Sequence, residues 1–279
     1  MPLSFLAVPI RLLCLLLLLS CPLKAQDLDT LPANQWELGI ALGVGHLDNP
    51  LADKGDIRYF LVPQLAYYGD WGYFDNGDLA FTLYDDGDNQ LYLSTGVSED
   101  ALYFGSWDRI GVTPPVRTAV DCTACPFTPA DEPLYMDHNP GWTWLGGLAY
   151  SHYGDWGFLR LRLLNDMLGR HDGAFASLRL GKAFTFHGQW QLSLGADWKS
   201  AELVDYYYGT ESQVVWLKGY QGRSAVDWVL AGQWLYPLGD NWGLLVNLHG
   251  RRLGSGIANS PLVNDRTVLD SFIGIAVTF

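Results

Sequence analysis

The last ten residues constrain this chain more than any other stretch. Asp270-Ser271-Phe272-Ile273-Gly274-Ile275-Ala276-Val277-Thr278-Phe279 alternates with a period of two. Ile273, Ile275, Val277 and Phe279 share one parity, and Phe272, Gly274, Ala276 and Thr278 the other. Alternate side chains of a strand face opposite sides, so one face is greasy and the other mostly small or hydroxylated. That is the pattern of a transmembrane β-strand with lipid outside and a tighter or wetter interior, and it sets the terminal aromatic at a membrane interface.

The other end agrees. Leu12 to Leu19 is apolar but for Cys14, Arg11 precedes it, and Leu23-Lys24-Ala25 leads into Gln26. The pattern predicts a secretory signal peptide over residues 1–25, cleaved after the small Ala25, with a barrel domain over 26–279. Leu18-Leu19-Ser20-Cys21 also loosely matches a lipoprotein box, which keeps lipidation of Cys21 open as the alternative. No other segment has the roughly 18 consecutive apolar residues of a membrane helix. Yet 49% of the chain is hydrophobic, with 12 Trp, 15 Tyr and 12 Phe. Apolar residues that are plentiful but alternating fit a barrel with aromatic girdles.

Twelve alternating segments are expected near 36–46, 58–68, 77–85, 90–97, 101–107, 141–152, 156–165, 172–184, 189–199, 224–236, 242–252 and 268–279, with ten strands as the alternative count. The fold class is therefore all-β, a transmembrane antiparallel up-and-down barrel. Gly69-Asp70-Trp71-Gly72 recurs as Gly154-Asp155-Trp156-Gly157, and with an insertion as Gly239-Asp240-Asn241-Trp242-Gly243. Gly and Asp suit tight turns, and Trp prefers the interface, so these copies are hairpin turns along one rim. Short connections alternate with longer ones, which in an outer-membrane barrel puts the short turns and both termini in the periplasm. On this count the Asp86–Asn89 connection falls among the outer loops, although it is short.

Polar residues buried in leucine-rich strands mark the interior. Arg160 and Arg162 alternate with leucines, as does Arg179; Asp227 and Gln233 alternate with Trp228, Leu230 and Trp234; Asn247 and His249 alternate with Val246 and Leu248. An Arg facing mid-bilayer lipid costs about 2–4 kcal/mol, so these side chains point inward, where the arginines could pair with Asp227 or Glu37. A network that fills and stiffens the lumen is the plainer reading; a filter for a small polar solute is the functional one.

Net charge is −13, and removal of Arg11 and Lys24 with the signal takes it to −15. That excludes nucleic acid as a partner, which needs basic patches. Outer-membrane lipids and lipopolysaccharide are the expected surroundings. Cys122-Thr-Ala-Cys125 reads as a candidate disulfide of an oxidising compartment. Zinc would need a second ligand pair, and His138 is a poor one. Asp85-Asp86-Gly87-Asp88-Asn89 lacks the spaced ligands of a calcium loop and reads as a solvated turn. Ser151 and His152 are adjacent and so face opposite sides, poor geometry for a nucleophile and base. No catalytic, metal or cofactor site is expected, and a lipid-modifying enzyme stands as the third reading.

Several pieces together resemble the MipA/OmpV family. Trp36-Glu37-Leu38-Gly39 is similar to its first strand and Leu61-Val62-Pro63-Gln64 to its proline-bearing second. Asp166 through His171 and Gly173, then Tyr206-Tyr207-Tyr208-Gly209, then Ser260-Pro261-Leu262-Val263 follow the family's order up to the terminal Phe279. The Cys122–Cys125 loop departs from it. The resemblance implies an outer-membrane β-barrel. It further implies a scaffold joining a murein lytic transglycosylase to a bifunctional murein synthase, or a surface antigen or envelope-stress protein.

Overall fold

The computed structural model describes residues 35–52, 54–105, 140–211 and 219–279. The expected signal peptide with its boundary at 25/26, His138, and the Cys122–Cys125 pair lie outside the described residues. Twelve antiparallel strands close into one barrel. They are β1 Gln35–Leu47, β2 Ile57–Gly69, β3 Gly72–Asp75, β4 Asp78–Asp85, β5 Asn89–Val97 and β6 Trp144–Gly154, then β7 Gly157–Asp166, β8 Ala174–Thr185, β9 Gln189–Lys199, β10 Ala225–Pro237, β11 Trp242–Arg252 and β12 Thr267–Thr278. Each strand pairs with its neighbours in sequence, and β12 returns to β1 from Gly39↔Thr278 to Leu47↔Asp270. Full closure leaves no sheet edge along this seam, which lipid demands because it cannot hydrogen-bond a free backbone.

The period of two sorts side chains between hydrocarbon and lumen. Leu42, Trp228, Leu230 and Ile273 are more than half exposed on the outer wall, while Phe272, Ala41 and Asp227 are buried inside. Near the short turns, outward rings form a line from Trp36 to Tyr67 (5.2 Å), Trp71 (5.8 Å) and Phe81 (5.9 Å). Trp190 stacks on Trp234 at 5.4 Å on the opposite side. Trp144, Trp198 and Trp228 stand outward near the other ends of their strands. Two aromatic belts flanking an aliphatic band are what a bilayer selects. Leu230→Arg, midway along β10 and 64% exposed, should therefore cost about 2–4 kcal/mol in lipid vesicles, against about 0–1 for Leu238→Arg at the rim. Equal urea midpoints for the two variants would contradict an embedded wall.

The strand count of twelve holds, but two members differ from the sequence reading. Residues 101–104 form a one-turn helix, α1 Ala101–Phe104, not a strand. In its place stands the four-residue β3, too short to show a period. It pairs only with Ala66–Gly69 of β2, and Asp75-Asn76-Gly77-Asp78 turns the chain straight back. Asn76 (φ 48°) and Gly77 (φ 108°) adopt the left-handed conformations a two-residue hairpin loop requires. The Asp86–Asn89 connection consequently lies with the short turns and not among the long loops, which removes its anomaly. The wall is low at β3–β4. Above it, Ile57–Gln64 pair with β1 and with no other strand among the described residues. Pro63 sits on this stretch, where a missing N–H breaks no ladder.

Candidate functional site

The long-loop end is closed by a packed cap. Among the described residues three helices build it: α1, α2 Ala201–Tyr208 and α3 Ser255–Ala258. Leu203, Val204, Tyr207, Tyr208 and Ile257 are fully buried there, against Phe104, Leu145, Leu164 and Leu253. Polar ties stitch the loops. Tyr207 and Thr143 hydroxyls lie 2.8 Å apart, Ser260 Oγ donates to the Tyr208 carbonyl (2.6 Å), and Asn49 Nδ2 donates to the Tyr103 carbonyl (3.0 Å). Ser200 caps α2 by accepting the Leu203 N–H at 3.4 Å.

The residues that carry the family resemblance gather at this cap. The Asp166 carboxylate accepts backbone N–H groups of Leu168 (2.9 Å), Arg170 (2.5 Å) and His171 (2.7 Å), folding the β7–β8 loop around itself. His171 Nδ1 accepts the Gly173 N–H (2.9 Å), and its ring packs 5.3 Å from that of Tyr206. Burial pushes His171 below its ordinary 6.5 despite the Asp166 carboxylate 3.8 Å away. A Cβ on Gly173 would stand 2.7 Å from the Leu203 nitrogen, so the loop needs glycine to meet α2. Ser260 is buried under Tyr208, Pro261 follows it, and Val263 bridges to Leu51. Phe279 lies apart, exposed at the short-turn end with its N–H on the Leu38 carbonyl (2.8 Å).

Beneath the cap the lumen holds a belt of buried charge. Lys199 Nζ lies 2.7 Å from Asp100 Oδ1 and 3.0 Å from Asp227 Oδ2. Arg179 clasps Asp197 with both terminal nitrogens, at 2.7 and 2.8 Å. Arg251 pairs with Glu99 and stands 3.9 Å from Asp197. Glu99 itself is exposed, at the edge of the belt, and the Arg251 guanidinium holds its carboxyl below the usual carboxylate range. Tyr208 adds a hydroxyl donor to Asp100 (2.9 Å), and the Gly254 N–H one to Asp227 (2.7 Å), so belt and cap share groups. Only about 40 Å³ of open space remains among Glu99, Asp197, Lys199, Arg162 and Arg251. The deeply buried members, Asp100, Asp197, Lys199, Asp227 and Arg251, are retained where each meets an opposite charge and spare hydrogen bonds.

Sequence reading missed Glu99, Asp100, Asp197, Lys199 and Arg251. Asp197 and Lys199 carried a signal, since they flank the outward Trp198. The arginines also take other partners than expected: Arg179 pairs with Asp197 and Arg162 with Asp78 (3.4 Å), while Asp227 serves Lys199. Gln233 and Asn247 face each other across β10 and β11, and His249 faces Ala231 on the same inner row. Glu37 stands opposite Ala66 in the β1–β2 ladder.

Toward the short turns the lumen widens into a cavity of about 500 Å³, lined by Tyr73, Tyr92, Tyr153, Arg160, Arg162 and the Asp75–Asp78 hairpin among others. Ser151 is buried in the inner wall, opposite Arg160. His152 takes the other face, with Nδ1 2.9 Å from Asn89 Oδ1 and its ring stacked 6.0 Å from Trp156. The Asp85–Asn89 turn is closed by its own carboxylates, Asp86 Oδ1 accepting the Asn89 N–H at 2.6 Å.

A family model described as MltA-interacting protein MipA matches residues 38–279. The MltA-interacting protein of Escherichia coli (strain K12) is 24% identical over 235 residues, 82% of this chain and 85% of the relative. The putative outer membrane protein YiaT of Escherichia coli O157:H7 is 24% identical over 260 residues, 88% of this chain and 93% of the relative. Among solved structures, the CymD monoaromatic hydrocarbon channel is 12% identical, with 88% of this chain and 89% of that one covered at a TM-score of 0.35.

Proposed function

The chain belongs to the MltA-interacting protein MipA family, and from that premise we propose that it is an outer-membrane scaffold for murein enzymes. Its barrel fold and its relatives' names fit the outer membrane. In this reading residues 1–25 are an export signal, the short-turn end and both termini face the periplasm, and the long loops face lipopolysaccharide. A murein lytic transglycosylase docks on the short-turn rim, and a bifunctional murein synthase is the second client. The relative's name supplies the first partner.

One observation carries the preference for a scaffold over a conduit: the loop end of the lumen is packed with cap and charge belt. A barrel plugged at one end by its own side chains is a closed post rather than a path. What such a post offers the periplasm is its rim, where Trp71, Trp156 and Trp242 are each about half exposed. The rim turns are short, and stable interfaces usually bury about 1,200–2,000 Å² in total. The contact is therefore expected to be transient, and covalent trapping is the right assay. A photo-crosslinking residue at Trp71 or Trp156 should capture a murein transglycosylase in intact envelopes, and one at Leu262 in the long loops should not. Capture from Leu262 alone would reverse the orientation. Capture of no murein enzyme from either rim position would end the scaffold reading.

A further inference from the structure

The short-turn cavity has acid at one wall and a guanidinium at the other, and neither neutralises the other. The register aligns an inward row across four strands: Asp85 opposite Gln90, Gln90 opposite Ser151, Ser151 opposite Arg160. All four line the cavity. At about 4.8 Å between strands the row spans about 14 Å along the wall.

Both ends are held in place and lack a counter-charge. Asp85 Oδ1 accepts the Gly87 N–H (2.8 Å) and Oδ2 accepts from Gln90 Nε2 (3.1 Å). The Arg160 guanidinium lies 4.9 Å over the Phe158 ring and gives one bond to the Tyr153 hydroxyl (3.3 Å). Among the described residues, no cation lies within ion-pair distance of Asp85 and no carboxylate within that distance of Arg160. Of the other ionic groups that line the cavity, Arg162 pairs with Asp78, Asp75 accepts from the Tyr68 hydroxyl and Asn76 Nδ2 (both 3.0 Å), and Asp70 adds a further carboxylate at the rim turn.

A purely anionic ligand would meet Asp70, Asp75, Asp78 and Asp85, and a purely cationic one would meet Arg160 and Arg162. The arrangement suits a ligand with a carboxylate at one end and an ammonium at the other. An extended peptide spans about 3.3–3.6 Å per residue, so about four residues bridge the row. A cavity near 500 Å³ falls in the usual range for small ligands. The Gln90 amide and Ser151 hydroxyl between the poles match a peptide backbone. We propose that this cavity binds a short zwitterionic peptide of about four residues, its C-terminal carboxylate on Arg160 and its N-terminal ammonium on Asp85.

This site needs no partner protein, so it stands or falls apart from the scaffold reading. The test is calorimetric titration of the folded full barrel in detergent with tetra-alanine, its N-acetylated form, its C-amidated form and the doubly blocked form. The free peptide should bind, and blocking either end should weaken it at least tenfold. Arg160→Gln should abolish the effect of amidation while keeping that of acetylation; Asp85→Asn should do the reverse. Absence of saturable binding to the wild-type barrel, or equal affinity for free and doubly blocked peptide, would overturn the proposal without any variant having to fold.

Discussion

Lys199→Met should cost the folded barrel about 3–5 kcal/mol, the scale for removing one partner from a buried ion pair. The ammonium sits between Asp100 and Asp227, and all three side chains are almost wholly buried. Methionine fills the space but leaves two carboxylates facing each other. Their remaining partners, the Tyr208 hydroxyl and the Gly254 N–H, are neutral donors and cannot balance that charge. The damage should reach beyond β9, because Asp100 opens α1 and Asp227 holds the chain at Gly254. Urea unfolding in lipid vesicles, followed by tryptophan fluorescence, reads the loss. Adding Asp100→Asn and Asp227→Asn to Lys199→Met should restore most of it, since the penalty belongs to unpaired charge and not to lost volume. A single variant within 1 kcal/mol of wild type would mean that the belt is solvated and not a sealed layer.

What the sequence discloses and what it hides follow from chain length and from where partners come from. Nine-residue and longer strands such as β1 and β10 repeat their period often enough to be read without a structure. β3 does not: Gly72-Tyr73-Phe74-Asp75 offers one outward aromatic and one inward, and the Gly-Asp-Trp-Gly turn ahead of it absorbs the rest. Ala101-Leu102-Tyr103-Phe104 looks like a strand because each residue tolerates one. It coils because Asp100 is drawn down to Lys199 while Ala101, Tyr103 and Phe104 sink into the cap. That is a tertiary demand, and propensity gives way to it. The same limit applies to the lumen. An arginine set among leucines announces that it turns away from lipid, but its partner is fixed by strand register and by loop packing, neither of which a single segment reveals. Arg179 therefore meets Asp197 on the next strand, while Arg251 reaches Glu99 from 152 residues away. The cavity row from Asp85 to Arg160 is hidden for the same reason, as it exists only once three ladders are in register.

The cap makes the second large prediction. Tyr207 is fully buried, packs tilted against Phe104 of α1 at 5.8 Å and edge-on against Tyr206 at 5.0 Å, and its hydroxyl meets Thr143 at the entry to β6. It thus joins α2 to both ends of the β5–β6 connection. Tyr207→Ala removes a large ring from a packed site and should cost about 3–5 kcal/mol, the range for truncating a buried aromatic. Tyr207→Phe keeps the ring and gives up one hydrogen bond, worth about 0.5–1.5 kcal/mol. The strand ladders do not depend on this residue, so the loss falls on the loop end, which should open while the barrel stays closed. Planar-bilayer recordings separate the two effects. Wild type and Tyr207→Phe should show a quiet baseline, and Tyr207→Ala should show frequent openings, because only the belt then stands between the outer mouth and the short-turn cavity. If wild type already conducts steadily, the lumen is a path and not a post, and the preference for a scaffold loses its support. If Tyr207→Ala stays as quiet and as stable as Tyr207→Phe, the seal is made by the charge belt alone and the cap is only its cover.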